Sequence, residues 1–277
     1  MDHLRRELAP VPDAAWAQIE DEAQRTLRLT LAARRVVDVT GPSGWTTEAL
    51  ATGIAEPLDA ALSGGVTLTA RRPVPYLELA ADFDLDQDDV DSADRGNPAI
   101  DTSPVIDASR RLALAEDTLV FHGSEVAGTA GIIGSTPHRV VEADDDPSRA
   151  PDHVAAALQV LRDAGINGPY ALVVGDALYT AIQGSTDHGE PIRDLLTTVL
   201  YGGEVVWSSA LNGAVVLSVR GGDFELALGQ DVAIGYRGQT GGQVGLYLQE
   251  SLAFRVLTPE AAVHLSLGER SSATASS

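Results

Sequence analysis

Residues 41–75 constrain this chain more than any other stretch. Gly41-Pro42-Ser43-Gly44, Gly53, Gly64-Gly65 and Pro73 interrupt short β-prone pieces such as Val66-Thr67-Leu68-Thr69. That spacing predicts a long hairpin arm and not a compact subdomain. Two strands alone cannot bury both of their faces and are marginal in water. The arm is therefore expected to pack on a neighbouring subunit.

The segments around the arm alternate helix and strand. Residues 13–34 read as an amphipathic helix with Asp13 as N-cap and Trp16, Ile19, Ala23, Leu27 and Leu31 at helical spacing. Ser103-Pro104 opens a second helix over 104–121, with Val105, Ala108, Leu112, Ala115 and Leu119 on one face. From about residue 150 the pattern predicts helix 152–164 ending at Gly165, strand 170–174, a short helix near 176–183 and helix 191–200. Strands 204–208 and 214–220 follow, and Asn212-Gly213 between them predicts a hairpin. A long strand is expected over 244–256. The Ser/Ala-rich tail from Gly268 is expected to be disordered.

At 277 residues the chain can bury a sizeable core. It carries a net charge of −21, with 40 acidic side chains against 19 basic ones, and contains no lysine and no cysteine. Nucleic-acid binding needs a basic face, and no arginine cluster here exceeds a pair, so no nucleic-acid partner is expected. Disulfides and thiolate metal sites are excluded. No apolar run approaches the ~20 residues that span a bilayer, and the charged start Met1-Asp2-His3-Leu4-Arg5-Arg6-Glu7 lacks a secretory core. The expectation is a cytoplasmic protein with no membrane partner.

Catalytic signatures fail one by one. The acidic run Asp82, Asp84, Asp86, Asp88, Asp89, Asp91, Asp94 invites a calcium loop. An EF-hand beginning at Asp84 needs Gly and Glu where Asp89 and Arg95 stand, so a solvated acidic face is expected. Gly128-x-x-Gly131-x-x-Gly134 has the wrong spacing for a dinucleotide loop. There is no Gly-x-Ser-x-Gly, and the six histidines include no pair at metal-ligand spacing. No metal site and no catalytic residues are expected.

A set of ordered motifs spans the chain from Leu4 to about Leu267: Leu8-Ala9-Pro10…Trp16, Arg34-Arg35-Val36-Val37-Asp38-Val39, Gly41-Pro42-x-Gly44-Trp45, Asp94-Arg95-Gly96, Glu116-Asp117, Gly168-Pro169-Tyr170 and Asp187-His188-Gly189-x-Pro191. It closes with Ser218-Val219-Arg220-Gly221-Gly222-Asp223-Phe224 and Gly229-Gln230-Asp231-Val232-Ala233-Ile234-Gly235-Tyr236. Each is weak alone. In this order the chain resembles the encapsulin shell proteins of family 1, the linocin-like family.

The resemblance implies an α+β fold of the HK97 phage-capsid type. It implies an N-terminal lumen-facing helix within 1–40, an extended loop over 41–75, a peripheral domain from 76–135 and 224–267, an axial domain over 136–223, and the tail 268–277. It implies a homo-oligomeric icosahedral shell of sixty copies or a multiple. That shell would enclose a cargo enzyme, a dye-decolourising peroxidase or ferritin-like protein, held by a C-terminal peptide. Leu27, Leu31, Arg34, Asp38, Ile234 and Tyr236 would bind that peptide, and Asp187, His188 and Glu190 would line a fivefold pore. Where some relatives stack a flavin on an aromatic residue this chain has Gln87, so no cofactor is expected. Without lysine, the lysine-to-asparagine crosslinks of some phage relatives are closed to it. Two other readings are a phage or prophage capsid protein of the same fold and a bacteriocin- or protease-like enzyme.

Overall fold

The computed structural model describes residues 3–62, 65–143 and 146–267; the expected tail lies outside them. Two sheets organise the chain. A four-stranded sheet runs in the order Asp38–Thr40, Phe224–Thr240, Gln243–Val256, Leu77–Asp86. Its centre is a long antiparallel hairpin turned at Gly241-Gly242, both at positive φ (60° and 81°), as a two-residue turn requires if it is to match strand twist. Alternation along Leu77–Asp86 places Ala81, Phe83 and Leu85 inward and the acidic residues between them outward.

Two helices cover that face. Helix Asp13–Thr30 contributes Ala15, Ile19 and Ala23, and helix Ser103–Phe121 contributes Val105, Ala108 and Leu112, against Phe83, Leu85, Leu246 and Leu248. The second helix then continues, and its last turn, Leu119-Val120-Phe121, enters the other core. The first helix is shorter than the periodicity predicts. Pro12 is its N-cap and makes no side-chain cap bond, and the helix ends at Thr30. A separate 3-10 turn over Ala33–Arg35 replaces the last predicted turn.

The second sheet has five strands in the order Val205–Trp207, Tyr170–Val174, Gly213–Ser218, Ala262–Leu267, Val141–Ala143. Helices Ala150–Asp163, Asp176–Gly184 and Ile192–Val199 pack into the same core through Val154, Leu158, Leu161, Ile182, Ile192 and Leu196. Two expectations are corrected here. Asn212-Gly213 does not close a hairpin: strand Tyr170–Val174 lies between its two neighbours, parallel to Val205–Trp207 and antiparallel to Gly213–Ser218. Residues 262–267 also leave the expected 224–267 unit and pair with Gly213–Ser218 and Val141–Ala143. The bend at Pro259–Ala261 carries the chain from one sheet to the other.

The arm is as extended as its glycines predict. Ala55–Leu62 pairs with Val66–Arg71, and Ala49–Leu50 pairs with Val74–Pro75. Between residues 39 and 80 no described side chain is buried, and Leu58, Val66 and Leu68 lie 39%, 55% and 37% exposed. The root is held by backbone: Ser43 N–H donates to the Leu228 carbonyl (3.0 Å) and Gly44 N–H to that of Gly229 (2.6 Å). At Gly41 (φ 102°) a Cβ would stand 2.3 Å from the Leu228 oxygen, so only glycine fits there.

Candidate binding groove

The last turns of helix Asp13–Thr30 and the bulged part of strand Phe224–Thr240 border an open groove of about 690 Å³. Its apolar floor is Ala23, Leu27, Leu31, Val232, Ile234 and Leu248. Residues 20, 24, 27 and 31 recur every three to four positions, which puts them on one helix face. The strand side is irregular, with register shifts between Leu228 and Gln230 and between Gln230 and Ala233. Such bulges turn side chains away from strict alternation, so Val232, Ala233 and Ile234 all border the groove.

Of the six residues expected to bind a peptide, the structure gathers four here: Leu27, Leu31, Arg34 and Ile234. Asp38 is elsewhere. It lies in the short strand beside Phe224–Thr240, and its Oδ2 accepts the Gly222 N–H at 2.5 Å, below the Gly221-Gly222 turn. Tyr236 packs against the core beneath the first helix, and its N–H donates to the Leu4 carbonyl (2.8 Å). Arg34 and Asp38, the two charged residues of the expected set, therefore do not lie together at the groove.

Arg34 is engaged from below. Its Nε and Nη2 donate to both oxygens of Glu116 (2.6–3.0 Å), Nη2 also donates to Glu250 (2.7 Å), and Nη1 donates to Asp231 (2.7 Å). The Glu116 and Glu250 side chains have no exposed surface. Burial works against the Arg34 charge, and the bonds and charges of the three carboxylates outweigh it, pushing its pKa further up. Glu250 goes the other way for a carboxylate. Burial, then the neighbouring Glu116, raise its pKa well above the ordinary value despite Arg34, and its Oε1 is buried with no hydrogen-bond partner. Burial of this kind disfavours the ionised form of a carboxyl.

Asp117, next to Glu116, faces the other way. It accepts from the backbone N–H groups of Ala32 (3.3 Å) and Ala33 (2.9 Å) and from the Ser208 hydroxyl (2.6 Å), tying the turn after the first helix to the five-stranded sheet. Burial lifts it from its ordinary 3.8 to about 6, in spite of those bonds. The folded chain thus keeps this proton to higher pH than the unfolded chain, and the associated stability is full below 3.8 and lost as pH rises through about 6. The gap corresponds to at most roughly 3 kcal/mol. Asp117→Asn keeps the side-chain shape and removes the titration, at the cost of one accepted bond, since its amide nitrogen cannot accept from a backbone N–H. Its thermal midpoint is expected to fall less than that of the parent between pH 5 and pH 7.5, and a parallel fall in both would refute this.

The pore candidates sit on a small hairpin. Thr186 pairs with Pro191 and Asp187 with Glu190, and His188 and Gly189 turn the chain at φ 47° and 90°, the left-handed pair of a type I′ turn. The His188 side chain is 97% exposed, and its Nε2 stands 3.7 Å from Asp187. Gln87 opens helix Gln87–Asp94, donates to the Pro10 carbonyl (3.1 Å) and Asp91 (2.7 Å), and accepts from Gln239 (2.8 Å). In the acidic run, Arg237 holds Asp82 and Asp84 (2.7 Å each), and Asp86 caps the helix by accepting from the Asp88 and Asp89 N–H groups.

Residues 1–253 match the family described as "encapsulating protein for peroxidase". The chain is 44% identical over 267 residues to the type 1 encapsulin shell protein of Brevibacterium linens, covering 96% of this chain and 100% of that one. It belongs to the encapsulin shell-protein family. The Mycobacterium tuberculosis type 1 encapsulin shell protein is 42% identical over 266 residues, at 96% and 100% coverage. Among solved structures, the virus-like particle protein of Pyrococcus furiosus superposes with a TM-score of 0.59 at 18% identity, over 89% of this chain and 97% of that one. The capsid of an empty GTA particle gives 0.55 at 16% identity, over 86% and 90%. The encapsulin chain therefore has the HK97-type α+β fold and forms a capsid-like compartment. No helix among the described residues is long and apolar enough to cross a membrane.

Reading the sequence missed Glu116 and Glu250, buried beneath the groove, and Asp231 and Arg28, which line it. For the first two a signal was present. Glu116 falls on the stripe of Leu112 and Leu119, and Glu250 stands in the alternation Leu246, Leu248, Leu252, Phe254. An acid on an apolar stripe needs a partner, and Arg34 is that partner.

Proposed function

We propose that this encapsulin encloses a cargo enzyme and holds it through a short C-terminal peptide laid along the groove. The observation that supports the reading is the open groove at the end of the first helix, whose apolar floor brings Leu27, Leu31, Val232 and Ile234 together. Burying two or three aliphatic side chains of a peptide contributes roughly 3–9 kcal/mol gross. Ordering the peptide and losing its freedom offset much of that. A multimeric cargo with several tails then gains retention from many weak sites at once. The peroxidase in the family description nominates the cargo class, with a ferritin-like protein as the second candidate. A closed shell of sixty copies or a multiple, in the cytoplasm, would admit small molecules or ions through openings such as one ringed by Asp187, His188 and Glu190. In this reading the shell has no chemistry of its own.

Gln24 is exposed at the groove and touches no core, so Gln24→Trp blocks the site without disturbing the fold. Shells of normal size are expected from the variant. Co-produced tailed cargo is expected to be captured no better than the same cargo without its tail, scored by cargo absorbance in purified shells. Undiminished loading would remove the groove from the mechanism.

A further inference from the structure

Arg34 and Asp38 are the charged members of the peptide-binding set that the resemblance implies, and the structure leaves neither available. Arg34 is spent on Glu116, Glu250 and Asp231, and Asp38 on the Gly222 backbone. Of the other ionic side chains on the groove, Arg6 and Glu20 pair with each other and Arg35 pairs with Glu204 (2.8 Å). Two remain. Asp21 and Arg28 line the groove, are exposed, and have no hydrogen-bond or ionic partner among the described residues.

They stand seven residues, or two helical turns, apart. At 1.5 Å per residue that is about 10 Å along the helix, with Leu27 and Gln24 between them. An extended peptide advances about 3.3 Å per residue, so complementary charges on it would be about three to five residues apart, allowing for the length of the arginine. The groove thus has an acidic end and a basic end flanking its apolar floor.

We propose that the groove reads charge order as well as aliphatic character: its ligand is an extended cargo segment carrying a base that meets Asp21 and an acid that meets Arg28, on either side of the aliphatic residues that enter the floor. This rests on the groove being the cargo site. Surface pairs are individually weak, so they set which tail is preferred and in which direction it lies, while the floor supplies most of the affinity. In a chain of net charge −21, an unpaired arginine at the groove also gives an acidic side chain a place to dock.

The test uses a fluorescent protein co-produced with the full chain and carrying one of three C-terminal tails. All three have the same Leu, Ile, Gly and Ser content. One has Asp before Arg four residues apart, one has Arg before Asp, and one has Asn and Gln there. Fluorophore copies per purified shell are counted for the parent chain and for the Asp21→Arg, Arg28→Glu double variant. One charge order is expected to load about three- to tenfold better on the parent. The preference is expected to reverse on the double variant, with the neutral tail in between on both. Equal loading of both orders, or a preference that survives the exchange, overturns the charge-reading inference while leaving the groove as the cargo site. If no tail loads above a tailless control, the groove reading fails first.

Discussion

Arg34→Ala is expected to destabilise the subunit by about 3–5 kcal/mol, the largest effect of any single truncation in the groove region. The cost is not the worth of an ion pair. Glu116 and Glu250 have no exposed surface, and removing the guanidinium leaves one carboxylate buried without its counter-charge. Two further variants separate this from ordinary loss of packing. Glu250→Gln alone is expected to cost much less than Arg34→Ala, because burial and Glu116 already work against the ionised form of the acid it replaces. Glu116→Gln on top of Arg34→Ala is expected to recover a large part of the loss, since the orphaned charge goes with it. The reverse pattern, a costly Glu250→Gln and no recovery by Glu116→Gln, would show that the network stabilises by shape alone. Chemical denaturation at fixed subunit concentration reads all of these.

Removing the arm is expected to abolish closed shells and leave a folded subunit. Leu50 and Val74 are register partners, so replacing 51–73 by Asn-Gly closes the stump with a two-residue turn suited to antiparallel strands. The deleted part contributes no buried described side chain, and the root bonds from Ser43 and Gly44 remain. The subunit's own unfolding transition should therefore change little. What disappears is the exposed apolar surface of Leu58, Val66 and Leu68, which in an acidic, mutually repelling set of subunits is needed to hold neighbours together. Size exclusion and negative-stain microscopy give the answer directly. Intact shells from the shortened chain would assign assembly to other contacts.

Local chemistry made much of this fold legible. The arm, the two helices of the first layer and strand Tyr170–Val174 follow from glycine punctuation and from periods of 3.6 and 2, and the ordered motifs supplied the fold type. The failures share one cause: each concerned something brought from far along the chain. Asn212-Gly213 is sound turn chemistry, but a strand from forty residues upstream sits between its neighbours. Arg34 and Asp38 are four residues apart, which invites pairing. Their actual partners, Glu116, Glu250, Asp231 and the Gly222 N–H, arrive from other strands and a distant helix. Two of those partners announced themselves as acids on apolar stripes, and Asp231 and Arg28 gave no sign.

Helix Ser103–Phe121 runs without a break from one hydrophobic core into the other. A single α-helical rod shared by two cores leaves no joint at which the halves of the subunit could swing. The tilt between the two sheets is thus fixed within the chain itself. A surface tiled by such subunits inherits its curvature from that tilt, and any latitude in particle diameter must come from the seams between tiles.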